Sequence, residues 1–335
     1  MSDYLAGLST GERARLQKTG PPEWLEPMLA TLTQERFSGE NWIFERKLDG
    51  ERCLVFRDGD AVRLMSRNQK ELNQHYPELI AAIGRQEARQ FIADGEIVAF
   101  ASNLTSFARL QQRMHLTDPA DIRQSNVAVY LYLFDLLYLT GYNLTDLPLR
   151  RRKVLLKKAV SFADPLRFVN HRNTAGEAYF KEACRKGWEG IIAKQADAGY
   201  VPARSKKWLK FKCVSQQELV IGGFTEPHGQ RIGFGALLVG YYAGDTLKYA
   251  GKVGTGYDDD TLRRLKEELT QLERKTPPFA ADDLPTQEVH WTRPELVAEI
   301  GFEEWTDYGK LRQPRFLGLR RDKAAGEVVR EEADG

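Results

Sequence analysis

The pattern of apolar residues changes character once along this chain, near residue 214. Beyond that point, short apolar runs are separated by glycine-rich turns, and a helix is predicted over Asp259–Arg274 because its leucines fall on one stripe. Several short strands around one helix, within about 120 residues, are typical of a small β-barrel of the OB type. The second part of the chain is therefore predicted to be an OB-fold barrel.

The preceding part of the chain mixes strand and helix patterns, which predicts an α+β domain. Asp58-Gly59 between two apolar runs indicates a hairpin. The strongest strand signal is Val127–Phe134, in an apolar stretch to Leu139 that Asp135 interrupts and that is too short to span a bilayer. With about 150 residues per domain as a guide, we expect an N-terminal extension over 1–22, an α+β domain over 23–213 and an OB-fold domain over 214–335.

Periodicity and turn residues predict the remaining elements. Helices are predicted at Gly11–Lys18, Tyr76–Ile83, Phe107–Met114, Arg150–Lys158 and Ala175–Lys186. Strands of the first domain are predicted at Ile43–Phe44, Cys53–Phe56, Val62–Met65, Ile191–Lys194 and Trp208–Lys212, with Phe91–Ile92 and Ile97–Phe100 as a separate pair. Strands of the barrel are predicted at Leu219–Phe224, Ala236–Tyr242, Leu247–Val253, Val289–Trp291, Val297–Phe302 and Phe316–Leu319.

The charge balance excludes a uniformly basic, tail-like nucleic-acid binder. The chain has 49 Lys and Arg against 47 Asp and Glu, for a net charge of +2. Cations are nevertheless concentrated in Arg204–Lys212 and in a second block at Arg150–Lys158. Basic blocks are commonly solvated faces, and they are also the usual contacts to DNA phosphates. Both interpretations stay open for the second block.

The three cysteines, Cys53, Cys184 and Cys213, are odd in number and include no C-x-x-C pair. This spacing argues against a disulfide framework and a four-cysteine zinc site, so reduced thiols in the cytoplasm are expected. Residues 1–20 lack the apolar core of a signal peptide, and no membrane association is expected.

Several short motifs follow one another in a fixed order. A Lys-x-Asp-Gly segment alone would occur by chance in roughly one in ten chains of this length, so the series matters more than any member. The motifs are Glu45-Arg46-Lys47-Leu48-Asp49-Gly50-Glu51-Arg52, Ser66-Arg67-Asn68, Asp94-Gly95-Glu96, Leu133-Phe134-Asp135, Glu189-Gly190-Ile191-Ile192-Ala193-Lys194, Trp208-Leu209-Lys210-Phe211-Lys212 and Arg320-Arg321-Asp322-Lys323.

This series resembles the covalent nucleotidyltransferase superfamily of ATP-dependent DNA ligases, RNA ligases and mRNA capping enzymes. Pro27-Met28-Leu29-Ala30, Ser66-Arg67-Asn68 and Phe316-Leu317-Gly318-Leu319-Arg320 resemble the bacterial and archaeal ATP-dependent DNA ligases, especially the ligase module of bacterial end-joining enzymes. The resemblance extends over residues 27–325. It implies an adenylation domain followed by an OB-fold domain, and an enzyme that seals 5′-phosphate/3′-hydroxyl nicks through a lysyl-AMP intermediate.

The resemblance also implies roles for individual residues. Lys47 would be the nucleophile, and because an ordinary lysine amine has a pKa of about 10.4, nearby cations and burial must favour its neutral form. The implied ATP-binding residues are Glu45 at the adenine amino group, Phe134 and Ile192 on the two faces of the base, and Arg52, Arg67, Glu96, Arg204, Lys210 and Lys212. Glu189 and Glu96 would bind metal, and Asp49 would support nick sealing. Arg320, Asp322 and Lys323 would orient pyrophosphate.

The implied cofactors are ATP and Mg²⁺ or Mn²⁺, and the implied substrate is nicked duplex DNA in repair or end joining. A cytoplasmic, nucleoid-associated monomer is expected, with a Ku-like end binder as a candidate protein partner. One alternative is an RNA ligase or a capping-type enzyme, against which Glu45 and Phe316–Arg320 argue. The other is a non-catalytic nucleic-acid-binding relative, against which the intact Lys47, Glu189 and Lys210 argue.

Overall fold

The structure is a computed structural model that describes residues 3–213, 215–280, 283–286 and 288–331. The chain divides at Cys213 into two compact units. Antiparallel pairing dominates both units, with helices packed on the sheets. The predicted α+β class is confirmed.

The first unit contains strands and helices in alternation. Its strands are β1 (Gln17–Lys18), β2 (Leu29–Leu32), β3 (Gly39–Arg46), β4 (Glu51–Asp58), β5 (Ala61–Ser66), β6 (Gln90–Ala101), β7 (Leu104–Thr105), β8 (Val129–Leu139), β9 (Tyr142–Asn143), β10 (Leu166–Phe168), β11 (His171–Thr174), β12 (Gly190–Gln195) and β13 (Arg204–Lys212). Its helices are α1 (Thr10–Arg13), α2 (Pro77–Gly84), α3 (Phe107–Met114), α4 (Pro119–Gln124), α5 (Leu149–Ala159) and α6 (Gly176–Arg185), after a 3₁₀ turn at Asp3–Leu5.

Two sheets form the body of this unit. The first has the strand order β1-β9-β8-β6-β4-β5, with β10 beside β8 and β7 beside β6. The second has the order β11-β3-β12-β13-β2. The pairs β10–β8 and β13–β2 are parallel, and the other pairs in these two sheets are antiparallel.

The alternation of side chains along the strands places three apolar layers around the two sheets. Helices α2, α3 and α5 cover one face of the first sheet. The other face packs against the second sheet, where Phe134 and Trp208 meet. Helix α6 covers the outer face of the second sheet, against Phe44 and Phe211. The face of the second sheet that points toward the first is therefore the one that bears Glu45, Ile192 and Lys210.

The N-terminal residues pack on the first unit. Leu5 and Leu8 are buried in the same apolar layer as helix α5. Ser9 caps α1 together with Glu12, and β1 pairs with β9. The predicted helix over Gly11–Lys18 is wrong beyond Arg13, because Gln17 and Lys18 join the sheet edge instead.

The second basic block is divided between solvent and core. Arg152 is fully buried, with Nε and Nη2 donating to the Asp135 carboxylate at 2.7 and 2.9 Å. Lys153 is also buried and contacts Glu45. These two cations cannot contact DNA phosphates, so the DNA interpretation is wrong for them. Arg151 remains half-exposed and pairs with Glu12.

The second unit is the predicted OB-type barrel. It contains β14 (Ser215–Thr225), β15 (Leu237–Ala243), β16 (Thr246–Val253), α7 (Asp259–Gln271), β17 (Glu273–Arg274), β18 (Val289–Thr292), β19 (Val297–Phe302) and β20 (Arg315–Leu319), with a 3₁₀ turn at Ala325–Glu327. Strand β14 pairs with β15, β18 and β19, and β19 pairs with β20. A parallel bridge from Thr255 to Arg315 brings the end of β16 to β20. Helix α7 follows β16 and precedes β17 in the chain, and it buries Leu262, Leu265 and Leu269.

Two predicted boundaries differ from the structure. The separate strands around Asp94-Gly95-Glu96 are one continuous strand, β6, because Gly95 lets β6 stay paired with both neighbours: a Cβ there would lie 2.7 Å from the Tyr132 carbonyl oxygen. The helix predicted to Arg274 ends at Gln271, and the next residues pair with β18 as β17.

The expectation of three reduced thiols is wrong for two of them. Cys184 at the end of α6 and Cys213 after β13 form a disulfide, with a Cα–Cα distance of 5.2 Å. The two residues are 29 positions apart, which the sequence spacing did not indicate. Cys53 is a free, buried thiol, and burial raises its pKa well above the usual range. Among the described residues, no helix has both the length and the apolar composition needed to cross a membrane.

The buried Arg152–Asp135 pair gives a stability prediction. Arg152→Met should lower the free energy of unfolding by about 3–5 kcal/mol, because it leaves the Asp135 carboxylate buried without its partner. Arg151→Met is the matched control and should cost less than about 1 kcal/mol, because the Arg151 side chain is 44% exposed and not buried in its ion pair. Urea unfolding followed by circular dichroism measures both. Equal losses in the two variants would contradict the burial argument.

Candidate active site

Lys47 follows the last residue of β3. Its backbone N–H donates to the Gly190 carbonyl at 3.0 Å, which extends the pairing of β3 with β12 by one residue. Its Nζ contacts the Glu189 carboxylate, and the Lys47 and Glu189 side chains are 21% and 8% exposed. The predicted nucleophile and the predicted metal ligand are therefore direct neighbours at the end of two adjacent strands.

A row of predicted residues crosses the second sheet. Glu45 stands between His171 on β11 and Ile192 on β12, and Ile192 stands beside Lys210 on β13. Lys212 is two residues further on and pairs with Gly190, next to Lys47. Because residues two apart on a strand share a face, Lys210 and Lys212 lie on the same side as Glu45 and Ile192.

Glu45 is 2% exposed and lies between two lysines. Lys153 from α5 contacts its Oε1, and Lys194 Nζ lies 2.6 Å from its Oε2. Burial alone would raise the pKa of Glu45, but the charges and hydrogen bonds of Lys153 and Lys194 outweigh it and hold that pKa below its usual range. The carboxylate is thus an ionised group in a low-dielectric position.

The facing sheet contributes an aromatic and cationic wall. Phe134 on β8 is buried against Trp208, with ring centroids 6.0 Å apart. Arg52 Cζ lies 4.8 Å from the Phe134 ring centroid, and the guanidinium makes two hydrogen bonds of 2.6 Å to Asp94. Tyr200 also donates to Asp94, at 2.7 Å. Burial lowers the pKa of Arg52, but Asp94 outweighs it and the net shift is upward.

Two motif glycines are required by close approach of backbone. A Cβ on Gly50 would lie 2.2 Å from the Ile97 carbonyl oxygen, and a Cβ on Gly190 would lie 2.0 Å from the Phe211 carbonyl oxygen. Gly190 also has a φ of +153°, a backbone conformation that residues with a side chain rarely adopt. Each glycine therefore lets its own backbone pack directly against a neighbouring strand, β6 for Gly50 and β13 for Gly190.

Asp49 has a structural contact in addition to its predicted role. Its Oδ2 accepts the backbone N–H of Phe107 at 3.0 Å, at the start of α3. Its own backbone N–H donates to Thr105 Oγ1 at 3.3 Å. The motif that carries Lys47 is thereby joined to helix α3, near the helix N-terminus, where a carboxylate is favoured.

The other predicted nucleotide contacts lie on both sheets. Glu96 is half-buried on β6, in register with Arg52. Arg67 is half-buried and follows β5. Arg204 is exposed at the start of β13, and its Nη1 donates to the Ala30 carbonyl at 2.8 Å. The structure thus groups Glu45, Lys47, Glu189, Ile192, Lys210 and Lys212 on one sheet, and Arg52, Glu96 and Phe134 on the other.

The last motif lies in the second unit and is ion-paired there. Arg320 donates twice to Asp322, at 2.9 and 2.8 Å, and once to Glu299 at 3.2 Å. Lys323 contacts the Glu218 carboxylate. In this arrangement the three residues Arg320, Asp322 and Lys323 belong to one network within the barrel.

The donor set fits a hard divalent cation only in part. Within the described residues, no group of three or more His, Cys, Asp or Glu side chains is gathered as metal ligands. Glu189 supplies an oxygen donor beside Lys47. Mg²⁺ commonly takes one or two carboxylates and completes its coordination with water and substrate phosphates. A site based on Glu189 therefore fits a metal that is bound together with a nucleotide.

Sequence reasoning missed several residues of this site. The sequence placed Lys153 in the basic block Arg150–Lys158, and Lys194 was the last residue of the Glu189–Lys194 motif. Neither lysine was assigned a role at the site. Asp94 lies in the motif Asp94-Gly95-Glu96 but had no role of its own, and Tyr200 lies outside the motifs; Tyr200 donates to Asp94, which also accepts from Arg52. One signal was present: Asp135 inside an apolar strand requires a buried partner, and Arg152 is that partner.

Comparison with protein families matches both units. The model described as "ATP dependent DNA ligase domain" matches residues 27–212, and the model described as "ATP dependent DNA ligase C terminal region" matches residues 230–323. A solved structure of mycobacterial DNA ligase D complexed with ATP and MES is 36% identical, with a TM-score of 0.66, and the match covers 92% of this chain and 98% of that one.

Curated relatives agree with the family models. The multifunctional non-homologous end joining protein LigD of Pseudomonas aeruginosa is 36% identical over 95% of this chain and 38% of its own length. LigD of Mycobacterium bovis is 38% identical over 92% of this chain and 40% of its own length. A DNA ligase of Natronomonas pharaonis is 34% identical over 85% of this chain and 52% of its own length. The chain thus spans about two fifths of the two LigD proteins, and it belongs to the ATP-dependent DNA ligase family.

Proposed function

We propose that this chain uses ATP to seal 5′-phosphate/3′-hydroxyl nicks in duplex DNA through a lysyl-AMP intermediate on Lys47. One observation carries the proposal: Lys47 Nζ contacts Glu189 at the end of a sheet whose same face bears Lys210 and Lys212. An amine nucleophile beside a carboxylate and two ammonium groups is suited to phosphoryl transfer onto lysine.

The reaction comprises three displacements at phosphorus. The neutral Lys47 amine attacks the α-phosphorus of ATP; a nitrogen–phosphorus bond forms, the bond to pyrophosphate breaks, and nitrogen loses its extra proton. A 5′-phosphate oxygen of the nick then displaces the lysine and takes the AMP. Finally the 3′-hydroxyl displaces AMP and closes the backbone. Each step develops negative charge on non-bridging oxygens, which nearby cations stabilise.

The two facing sheets supply the nucleotide site in this proposal. Glu45 accepts a hydrogen bond from the adenine 6-amino group, and the base packs between Phe134 and Ile192. Arg67 and Glu96 lie at the ribose, and Arg204 makes a further nucleotide contact. Support comes from the register that aligns Glu45 with Ile192 and from the packing of the two sheets.

Cations and metal act on the phosphates. Lys210 and Lys212 bind the α-phosphate region, and Arg52 contributes to the positive potential from the other sheet. Glu189, with Glu96 as a second carboxylate, would hold Mg²⁺ or Mn²⁺, which when bound neutralises phosphate charge. Asp49 supports nick sealing. Arg320, Asp322 and Lys323 orient the departing pyrophosphate; their place in the motif order is the support for this role.

The proposed setting is DNA end joining. The two LigD relatives are named as end-joining proteins, and this chain spans about two fifths of each. A Ku-like end binder is the proposed protein partner, and nicked duplex DNA the substrate. The exposed Arg204 and Lys206 at the start of β13 are candidate phosphate contacts.

Replacement of the nucleophile tests the proposed chemistry. Lys47→Ala should abolish both the mass increase of AMP after incubation with ATP and metal, and ATP-dependent sealing. It should still seal a nick that already carries a 5′-AMP, because that substrate bypasses the lysine. Intact-mass spectrometry and gel assays of the nick measure these outcomes.

Lys181→Ala is the matched control, because Lys181 is exposed on α6, and it should form the adduct normally. Normal adduct formation by Lys47→Ala would exclude Lys47 as the nucleophile. Adduct formation without sealing of DNA by the wild-type chain would point to a different acceptor.

Replacement of Glu189 tests the metal role. Glu189→Ala should lose sealing by about 100-fold or more across a wide Mg²⁺ titration. Mutation of a residue that only hydrogen-bonds to a metal ligand already lowers metal affinity or activity by about 10–100-fold, and loss of the ligand itself should cost at least as much. Glu87→Ala, at an exposed position, should keep the wild-type Mg²⁺ midpoint. Sealing by Glu189→Ala at the normal rate in low Mg²⁺ would rule out Glu189 as a metal ligand.

A further inference from the structure

Two buried lysines from different elements hold one carboxylate on the inner face of the second sheet. Lys153 comes from α5 and Lys194 from β12, and each contacts a different oxygen of Glu45. The side chains of Lys153, Lys194 and Glu45 are 2%, 3% and 2% exposed. The single negative charge of Glu45 therefore faces two positive charges in the interior. One lysine would be enough to neutralise it.

The Lys153 ammonium group is fixed in its position by hydrogen bonds. Besides Glu45, its Nζ donates to the carbonyl oxygens of Phe134 at 3.3 Å and Val169 at 3.0 Å. An ammonium group has three protons, and these three acceptors take all of them. Lys153 consequently fixes the Glu45 carboxylate relative to the backbone of Phe134, the aromatic residue of the proposed base site.

Lys194 restrains the second oxygen. Its Nζ lies 4.1 Å from the ring centroid of Phe134 and 4.0 Å from that of Trp208. Two aromatic faces stabilise a cation there, and Glu45 Oε2 accepts one of its protons. The carboxylate is thus held from both ends and cannot rotate without breaking a buried ion pair.

The two purines differ at the position that such a carboxylate would read. Adenine carries a 6-amino group, which donates, whereas guanine carries a 6-oxo group, which accepts. An ionised carboxylate only accepts, but a protonated one has an O–H donor as well. Discrimination against guanine therefore depends on keeping the carboxyl group ionised and oriented.

We propose that Lys153 and Lys194 are positioning residues that make the nucleotide pocket select adenine over guanine by holding Glu45 as an ionised, fixed acceptor. The inference rests on the proposed function, in which Glu45 receives the adenine amino group. A guanine at this position would set its carbonyl oxygen against a carboxylate. Sites built around buried hydrogen bonds reject ligands that leave such groups unpaired.

Two titratable groups beside the cluster, His171 and Tyr179, have shifted pKa values that keep them uncharged between pH 6 and pH 8. Burial, followed by the charge of Lys153, lowers the pKa of His171 on β11 to about 4, so this residue is neutral. Burial raises the pKa of Tyr179 on α6, which is neutral as well. Asp135 on β8 is paired with Arg152 on α5. Lys157 and Arg150, also on α5, are the remaining cations near His171.

The test compares nucleotide selectivity at two pH values. The covalent adduct formed with ATP or with GTP is measured by intact mass at pH 6 and pH 8. The wild type should show the same high ATP-to-GTP ratio at both. Lys153→Met should lower the ratio on the order of tenfold at pH 8 and further at pH 6, because the Glu45 carboxyl protonates more readily without this cation. Lys153→Arg should recover most of the ratio.

Lys157→Met is the matched control. Lys157 Nζ lies 4.3 Å from the Phe168 ring centroid and Lys153 Nζ lies 4.5 Å from it, but Lys157 is exposed. This variant should keep the wild-type ratio. If Lys153→Met fails to fold, judged by its melting curve, Lys194→Met takes its place with the same expectation. A folded variant that keeps the wild-type ratio, or that loses both adducts in parallel, overturns the inference.

Glu45→Gln separates this inference from the proposed function. An amide donates as well as accepts and does not titrate, so the variant should accept both purines with the same ratio at pH 6 and pH 8. If Glu45→Gln keeps the wild-type ratio, Glu45 does not read the base and its proposed role fails. If Glu45→Gln relaxes selectivity but neither lysine variant does, the role of Glu45 stands and the positioning inference fails.

Discussion

The first unit depends on two adjacent ion pairs that helix α5 makes in the interior. Arg152 reaches Asp135 on β8, in the first sheet, and Lys153 reaches Glu45 on β3, in the second. Buried pairs of this kind add little net stability compared with apolar packing, but loss of one partner is costly. Consecutive residues of one helix therefore fix the two sheets relative to each other, and with them the separation between Phe134 and the row of Glu45, Ile192 and Lys210.

Much of the fold follows from periodicity alone. Phe107–Met114 and Val297–Phe302 match the structure at both ends. The motif series also identified the side chains that the second sheet brings together, from Glu45 to Lys212. Spacing along β13 places Lys210 and Lys212 on one face, whereas Glu45 and Ile192, which lie on other strands, were named by the resemblance to the ligase superfamily.

The features that the sequence did not predict depend on contacts between distant parts of the chain. Lys153 and Arg152 look like solvated charges in a basic run, and only the packing of α5 under the sheets shows otherwise. The continuity of β6 through Gly95 requires knowledge of both neighbouring strands. Likewise, nothing in the spacing of Cys184 and Cys213 indicates that α6 lies beside the end of β13.

That disulfide has a topological consequence for strands β12 and β13. It closes a covalent ring that contains β12 and β13, and so Glu189, Lys210 and Lys212 all lie inside the ring. Closing a ring of this size removes about 3–4 kcal/mol of chain entropy from the unfolded state in the loop-closure treatment. A single backbone cleavage between the two strands would leave one covalently joined molecule in the oxidised chain, and two separable fragments in the reduced chain.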